Sequence, residues 1–338
     1  MPEIIRIQRI SDETQRQVKL DAYDKKILFH LSQDGRIAFT TLAKKLKLSR
    51  DTLHYRIERL LKKGIILRFI PLIDLTALGY TTFHVFMVLQ EGNEERYQTL
   101  LHTLSNHPNT KSLMEYTGNW EIEWILVAKS VQAFDSLFDE ITTQFKDLII
   151  EKQKMEIIKG YKSEQLPSNI HEESFLEKRK SAKQIKYDGT DIALLKALAK
   201  DARQSSYDLG RQIGIAPNTI RYRIKQLQEA GIIRKFSFIV NLGKLDYHWY
   251  SVAIKLKTFT KEDERKLKEF VNTHPYIMRV VKVLGPCDLL LNIATESIRD
   301  FHKSIKEFQK IFSTIMISYE SLIGYQEYVF EHMPEGIR

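Results

Sequence analysis

The sequence predicts an α+β chain in which one unit, a three-helix bundle followed by a βαββαβ sandwich, is written twice. Three observations carry that prediction. The nonapeptide "TLHYRIERL" (52–60) returns as "TIRYRIKQL" (219–227), an offset of 167. The same offset brings Asp24 onto Asp191, Arg36 onto Arg203, Leu42 onto Leu209, "GII" (64–66) onto "GII" (231–233), and His107-Pro108 onto His274-Pro275, the self-similarity that marks an internal repeat. Within each copy the apolar spacing changes from a helical to a strand period.

The first copy opens with Tyr23, Ile27, Leu28 and Leu31 at helical spacing, and "TLAKKLKL" (41–48) makes a short second helix. Ser49 is placed to cap a third helix, Thr52 to Lys62, which Gly64 ends. Leu53, Ile57 and Leu60 fall on one face of it, leaving His54, Tyr55, Arg56 and Arg59 on others. In the second copy Ile220, Ile224 and Leu227 form that stripe, and Pro217 suits the first turn. The breaks "LKLSRD" and "IGIAPN" have the length of a helix-turn-helix corner. A β-branched run, "GIILRFIPLID" or "GIIRKFSFIVN", then leaves each bundle as a strand.

Further strands are expected at 81–89, 111–117, 121–128 and 149–158, with helices at 93–105 and 131–145. The second copy places strands at 248–257, 276–284, 288–294 and 314–323, with helices at 261–273 and 297–312. That order is the ferredoxin-like split βαβ arrangement, whose helices cover one sheet face and leave the other to be covered by something else. The expected domains are an N-terminal extension (1–19), a helix-turn-helix (20–69), a sandwich (70–162), a linker with a short helix in its middle (163–186), a second helix-turn-helix (187–236) and a second sandwich (237–333).

Charge is unevenly placed. The 338 residues carry +9 net. Residues 20–69 hold 12 Lys/Arg against 5 Asp/Glu and residues 187–236 hold 9 against 5, whereas 70–167 hold 8 against 14. The two helical blocks are thus the parts suited to a polyanion. The longest apolar runs are too short to span a bilayer, the charged start lacks the apolar core of a signal peptide, and a lone cysteine, Cys287, forms no internal disulfide or Cys-based zinc site. The histidines lack metal-binding spacing. A cytoplasmic protein without a metal or cofactor is expected.

A third helix with a basic, hydroxyl-bearing outer face suits the major groove of duplex DNA, where its first residues reach base edges. The candidates are Arg50, Asp51, Thr52, His54 and Tyr55 in the first copy, and Asn218, Thr219, Arg221 and Tyr222 in the second. Arg56, Arg59, Lys62, Lys63, Arg223 and Lys225 are candidates for phosphate contacts.

The stretch from "LDAYDKKILFHL" through "DGRIAFTTLAKKLKLSRDTLHYRIERLLKKGII" resembles the leucine-responsive regulator/asparagine regulator (Lrp/AsnC) family in its L-D-x-x-D start, D-x-R, L-A, L-S, R-I-x-x-L and G-I-I. The second copy shows a weaker form, and the βαββαβ parts resemble that family's effector-binding, dimerising RAM domain. The resemblance implies a sequence-specific transcription regulator that is not an enzyme. It also implies RAM sheets that pack face to face, so that one chain could close its own pseudo-dimer, with larger assemblies open. Because the two recognition helices differ, an asymmetric operator is expected. Members that sense amino acids carry a G-D-x-D-type turn; here "GNWEIEW" and "GPCDLLL" keep Gly118 and Gly285, put Glu121 and Asp288 at the fourth place, and replace the first Asp by Asn119 and Pro286. An amino-acid-like effector at these residues is an open expectation. Two alternatives stand beside the regulator: a tetrapyrrole enzyme like the siroheme decarboxylases, which share this architecture, and a degenerate regulator that acts through protein partners.

Overall fold

The structure, a computed structural model, describes residues 9–10, 17–171 and 186–338. The helix expected inside the 163–186 linker falls outside the described residues; the part before it ends in a 3-10 turn, Ser168–Ile170. The elements of the first half are α1 (Ala22–Gln33), α2 (Phe39–Leu46), α3 (Arg50–Lys62), β1 (Ile66–Ile73), β2 (Thr81–Leu89), α4 (Glu94–Asn106), β3 (Thr110–Thr117), β4 (Ile122–Ala128), α5 (Val131–Gln144) and β5 (Ile149–Ser163). The second half repeats that order: α6 (Gly189–Lys200), α7 (Ser206–Ile213), α8 (Pro217–Glu229), β6 (Ile233–Val240), β7 (His248–Leu256), α9 (Lys261–Thr273), β8 (Ile277–Leu284), β9 (Leu289–Thr295), α10 (Ile298–Ile311) and β10 (Met316–Phe330). They gather into two compact units, each drawing on both halves of the chain, rather than into the linear series of domains read from the sequence.

The helical unit is started by paired caps. Asp21 accepts from Asp24 N at 2.9 Å and Asp24 returns the bond to Asp21 N at 3.2 Å, a reciprocal box that satisfies two orphan amides at the helix start. Asp188 and Asp191 repeat it, both bonds 3.0 Å. Ser49 caps α3 through Thr52 N, and the corner before α8 turns at Gly214 with φ 82, where a side chain would be strained. Leu53, Ile57 and Leu60, with Ile220, Ile224 and Leu227, are buried as the spacing requires.

Strands β1 and β6 pair antiparallel with each other, Phe69 opposite Phe238. Around this ribbon the two halves exchange matched bonds. Gly35 N donates to Phe236 O and Ala202 N to Phe69 O, both at 2.9 Å. The Arg36 guanidinium donates to Ala202 O and, at 3.2 Å, to Gln204 O; Arg203 donates to Gly35 O at 2.6 Å and to Ile37 O at 3.3 Å. Backbones approach so closely that a Cβ on Gly35 would lie 2.6 Å from Ser237 O.

The sheet unit is a closed eight-stranded barrel in the order β10-β3-β4-β2-β5-β8-β9-β7. Its closure comes from two long strands. β5 pairs with β2 up to Glu156 and with β8 from there to Ser163, and β10 pairs with β7 up to Ile323 and with β3 from there to Phe330. Each runs past the end expected from the sequence (158 and 323), and the extra residues are the ones that cross to the other half. Phe83, Val85, Leu113 and Trp124 pack under α4 and α5, and Val252, Ile254, Leu289 and Leu291 under α9 and α10. By the alternation of a strand, the residues between them face the barrel interior, so each half covers the sheet face that the other leaves open.

Candidate functional site

The first turns of α3 and α8 are solvent-facing. Arg50, Asp51, Thr52, His54 and Tyr55 are exposed, as are Asn218, Thr219, Arg221 and Tyr222. Tyr55 and Tyr222, at matched positions, are 66% and 63% exposed and hold apolar rings in water, a cost that a base or a sugar would relieve. Thr52 is shared with the cap, its hydroxyl 2.8 Å from Ser49 Oγ. His54 lies 3.6 Å from Glu58, Arg221 bonds Ser206 and Asn218, and Lys225 lies 3.7 Å from Glu229.

Three arginines read from the sequence as phosphate contacts are engaged elsewhere. Arg56 donates to Asp21 at 2.7 Å and Asp24 at 2.9 Å, Arg59 donates to Asp24, and Arg223 donates to Asp188 at 3.0 Å and Asp191 at 2.9 Å. The acidic cap of each first helix thus ties down the third. The hydrogen bonds that Arg56 donates to Asp21 and then Asp24 hold its guanidinium above its ordinary value, and Arg223 is held up in the same way by Asp191 and Asp188. These partly exposed guanidiniums tie α3 to α1 and α8 to α6. Arg50, Lys62 and Lys225 are exposed, the two lysines beside Glu58 and Glu229 one turn away.

The interior of the barrel holds what the sequence concealed, a cluster of ionisable side chains built across both halves. His84 on β2 and Glu123 on β4 are buried and joined through Nδ1 and Oε1, and Tyr116 on β3 donates to Glu123 Oε2 at 2.6 Å. Arg279 on β8 points Nη2 at His84 Nε2, 3.4 Å away. A guanidinium only donates, so Nε2 is the acceptor and Nδ1 carries the proton that Glu123 accepts. Burial holds the His84 pKa down against the pull of Glu123, while the contacts with His84, Tyr116 and Arg279 hold the Glu123 carboxyl below its ordinary value in spite of burial. Asn292 donates to Ser251 at 3.3 Å beside them. The cavity bordered by Phe86, Trp120, Met155, Ser251 and Leu322 is about 20 Å³, room for roughly one water. An open hollow of about 440 Å³ lies against Gln309, Ser313, Met316, Ile317 and Tyr319.

The residues of the expected effector turn serve the strands. Glu121 Oε2 accepts from Leu89 N at 3.3 Å, and Asp288 Oδ2 accepts from Leu256 N at 2.7 Å, matched bonds that close the ends of β2 and β7. Asn119 donates to Glu320 at 2.7 Å. Gly118 has φ 144, and a Cβ there would meet Leu322 at 2.8 Å. A Cβ on Gly285 would be 3.0 Å from Met155 and 3.1 Å from Lys154 O, so close approach explains both glycines.

A winged-helix pair joined to a ferredoxin-like barrel is the class these features define. The family described as winged helix-turn-helix DNA-binding matches residues 20–66 and 187–234. The transcriptional regulator AzlB of Bacillus subtilis is 33% identical over 122 residues, which cover 36% of this chain and 78% of that protein. An uncharacterized HTH-type regulator of Pyrococcus furiosus is 32% identical over 121 residues, 36% of this chain and 81% of its own. The chain belongs to the Lrp/AsnC superfamily of winged-helix/RAM-type transcriptional regulators.

Over its full length the fold follows a different protein. The structure of the siroheme decarboxylase NirDL in complex with an iron-uroporphyrin III analogue superposes with a TM-score of 0.60, covering 93% of this chain and 94% of that one at 12% identity. A second NirDL structure gives 0.60 at 11% identity, with 91% and 92% covered. The expectation that the chain is not an enzyme is corrected by these neighbours, since its whole-length fold is one that carries catalysis. At this identity the likeness is one of fold. Among the described residues no helix is long and apolar enough to cross a membrane.

Proposed function

We propose that this chain is a sequence-specific DNA-binding regulator that carries a tandem pair of winged-helix/RAM units, and so two recognition helices, in one polypeptide. The observation that carries it is the exposed, unlike pair of first turns, Arg50–Tyr55 on α3 and Asn218–Tyr222 on α8, on helices whose backs are buried and whose orientation is fixed by Asp24–Arg56 and Asp191–Arg223. Arg50 suits guanine and Asn218 adenine, so the two ends read different sequences and the operator is asymmetric. Glu121 and Asp288 each spend one carboxylate oxygen on a backbone amide, so an amino-acid-like effector would have to share these side chains with the strand ends. The β1–β6 ribbon and the closed barrel support an intramolecular pseudo-dimer.

A second reading, an enzyme acting on a tetrapyrrole carboxylate, is favoured by the full-length fold likeness and by the single His84–Glu123–Tyr116–Arg279 cluster. Loss of CO2 leaves a carbanion that takes up a proton, which His84 has first to gain at Nε2 from solvent as the barrel opens, while the Arg279 guanidinium holds the carboxylate. The barrel would have to open, because its interior cavity is about 20 Å³ and a ligand of that class needs several hundred, on the order of 300–1,000 Å³.

One experiment divides the readings. Genomic fragments are selected on the purified chain and binding is followed by anisotropy across a salt series, and the same preparation is titrated with iron-uroporphyrin by absorbance. An asymmetric enriched motif whose affinity falls steeply with salt supports the regulator. Identical half-sites refute the asymmetry. No salt-dependent DNA binding together with a saturable absorbance change refutes the regulator and leaves the enzyme.

A further inference from the structure

One more built site lies in the barrel, and the chain itself fills it. Arg9 is 5% exposed, and its guanidinium meets Glu327 in a two-point pair, Nε to Oε2 at 2.8 Å and Nη2 to Oε1 at 3.1 Å. Ser112 Oγ steadies Glu327 Oε1 at 3.2 Å. The planar cation lies over Phe330 at 3.8 Å and over Trp249 at 4.9 Å. A buried carboxylate, a hydroxyl that orients it and two aromatic faces, drawn from β10, β3 and β7, form a recognition set for a guanidinium. An ammonium would lose both the fork and the stacking.

Arg9 belongs to no helix or strand. Its backbone is tied by Leu242 N donating to Arg9 O at 2.7 Å, and Ile10 beside it is buried. We propose that this pocket is a binding site for a small guanidinium-bearing molecule, which Arg9 occupies in cis and which such a molecule displaces. The other half does not repeat this pocket, because the offset of 167 puts Gly160, Thr82 and Ser163 where Glu327, Trp249 and Phe330 stand. Glu327 is buried beside Glu123, and burial raises its pKa against the pull of Arg9, so the pocket emptied of a cation would take up a proton and binding would weaken as the pH falls. The side chain already in place acts at an effective concentration of about millimolar, which sets what a free ligand must exceed. The site stands on the barrel alone and is independent of DNA binding.

The test uses the full chain and two probes, agmatine and its ammonium counterpart putrescine. In the wild-type protein, agmatine is expected to speed tryptic cleavage after Arg9 severalfold over putrescine, and Glu327→Gln is expected to abolish that difference. Arg9→Ala is expected to lower Tm, and methylguanidinium to restore at least about half of the loss where methylammonium restores none. Displacement in the wild type with rescue of the variant establishes the site. A folded Arg9→Ala protein that ignores methylguanidinium overturns it. Rescue of the variant without displacement in the wild type also overturns it, showing Arg9 to be a fixed pin. If Arg9→Ala does not fold, the wild-type cleavage decides alone.

Discussion

The two compact units treat the repeat in opposite ways. In the helical unit the halves remain matched where they touch: Arg36 and Arg203 each cross to the other half's carbonyls, and the Asp24–Arg56 pair has its counterpart in Asp191–Arg223. In the barrel the positions that answer His84, Tyr116 and Glu123 are Ser251, Val283 and Leu290. A contact across a near-two-fold axis needs both members, so neither copy is free to drift alone. The barrel interior requires only that the volume be filled and that its polar atoms be satisfied together. One copy could therefore supply the histidine, tyrosine and carboxylate while the other supplied Arg279, and the result is a single asymmetric cluster.

The sharpest test of the matched unit is the buried carboxylate. Asp24 serves the cap, Arg56 and Arg59, whereas Asp191 serves the cap and Arg223, because Gln226 stands where Arg59 would repeat. Asp24→Ala leaves Arg59 without its acid and Arg56 with Asp21 alone, and is expected to cost about 3 kcal/mol. Asp191→Ala is expected to cost less by roughly 1 kcal/mol, one cap and one pair being lost. Urea titration of the two variants checks this, and equal losses would show that Arg59 adds nothing. Next comes the crossing itself. Arg36→Ala and Arg203→Ala are each expected to cost about 2–3 kcal/mol, since charged donors to two carbonyls are removed. The double variant should lose less than the sum, because each guanidinium braces the loop that the other needs; strict additivity would deny that the two crossings act as one.

The matched His-Pro turns sharpen the comparison further through pH. Each ring accepts from a backbone amide two residues on, His107 Nδ1 from Asn109 N at 3.2 Å and His274 Nδ1 from Tyr276 N at 3.3 Å, so each is held as the Nε2–H tautomer. His274 is buried and His107 half-buried. Burial, reinforced by Lys162, pushes His274 down to about 4, and burial lowers His107 as well. A depressed histidine leaves the unfolded chain the better proton binder between its folded and unfolded values. Stability from His274 is therefore full above about pH 6.5 and lost as pH falls toward about 4, by on the order of 3 kcal/mol at most. Glu307, 3.5 Å from its Nε2, tempers that loss. Proton titration of the ring signals in NMR, with urea stability at pH 7 and pH 5, checks the window; a His274 that titrates near 6.5 breaks it. Lys162 behaves likewise at alkaline pH. It is buried under the C-terminus of α9, donating to Val271 O at 2.7 Å and His274 O at 3.0 Å, and burial lowers it to about 8.

What the sequence revealed follows the same divide. The helices of both halves were legible because apolar stripes, Ser49 and Pro217 are local signals, and the strands of the barrel lie within a few residues of their expected places. Pairing was not legible. Nothing in "ILRFIPLI" names "IRKFSFIV" as its partner, and residues 159–163 and 324–330, which lie beyond the expected strand ends, have no partner in their own half and are seen only in the structure to cross to the other. A helical wheel shows which face of α3 is apolar but not that Asp24 waits beneath Arg56 and Arg59. One signal was available, since the offset that matches Asp24 with Asp191 also matches Arg56 with Arg223. His84 and Arg279 are 195 residues apart, and no spacing rule joins them.

The smallest net change is expected from removing the barrel cluster whole. Glu123→Leu alone strands Arg279 and His84 without the carboxylate that balances them, and should cost about 3–5 kcal/mol. Changing His84→Phe, Tyr116→Phe and Arg279→Met in the same chain removes every group that the lost carboxylate served, at similar volumes. The quadruple variant is then expected within about 1 kcal/mol of the wild type, because a buried ionic group gives back little more than its desolvation took. Urea titration of the single and quadruple variants reads this directly. A quadruple variant as unstable as the single one would mean that the cluster positions the strands rather than merely satisfying itself. If stability returns and DNA binding is retained, the first half's ionisable interior is dispensable for both folding and operator recognition. The cluster then has to be explained by a ligand, and the barrel, unlike the helical pair, has diverged for a purpose of its own.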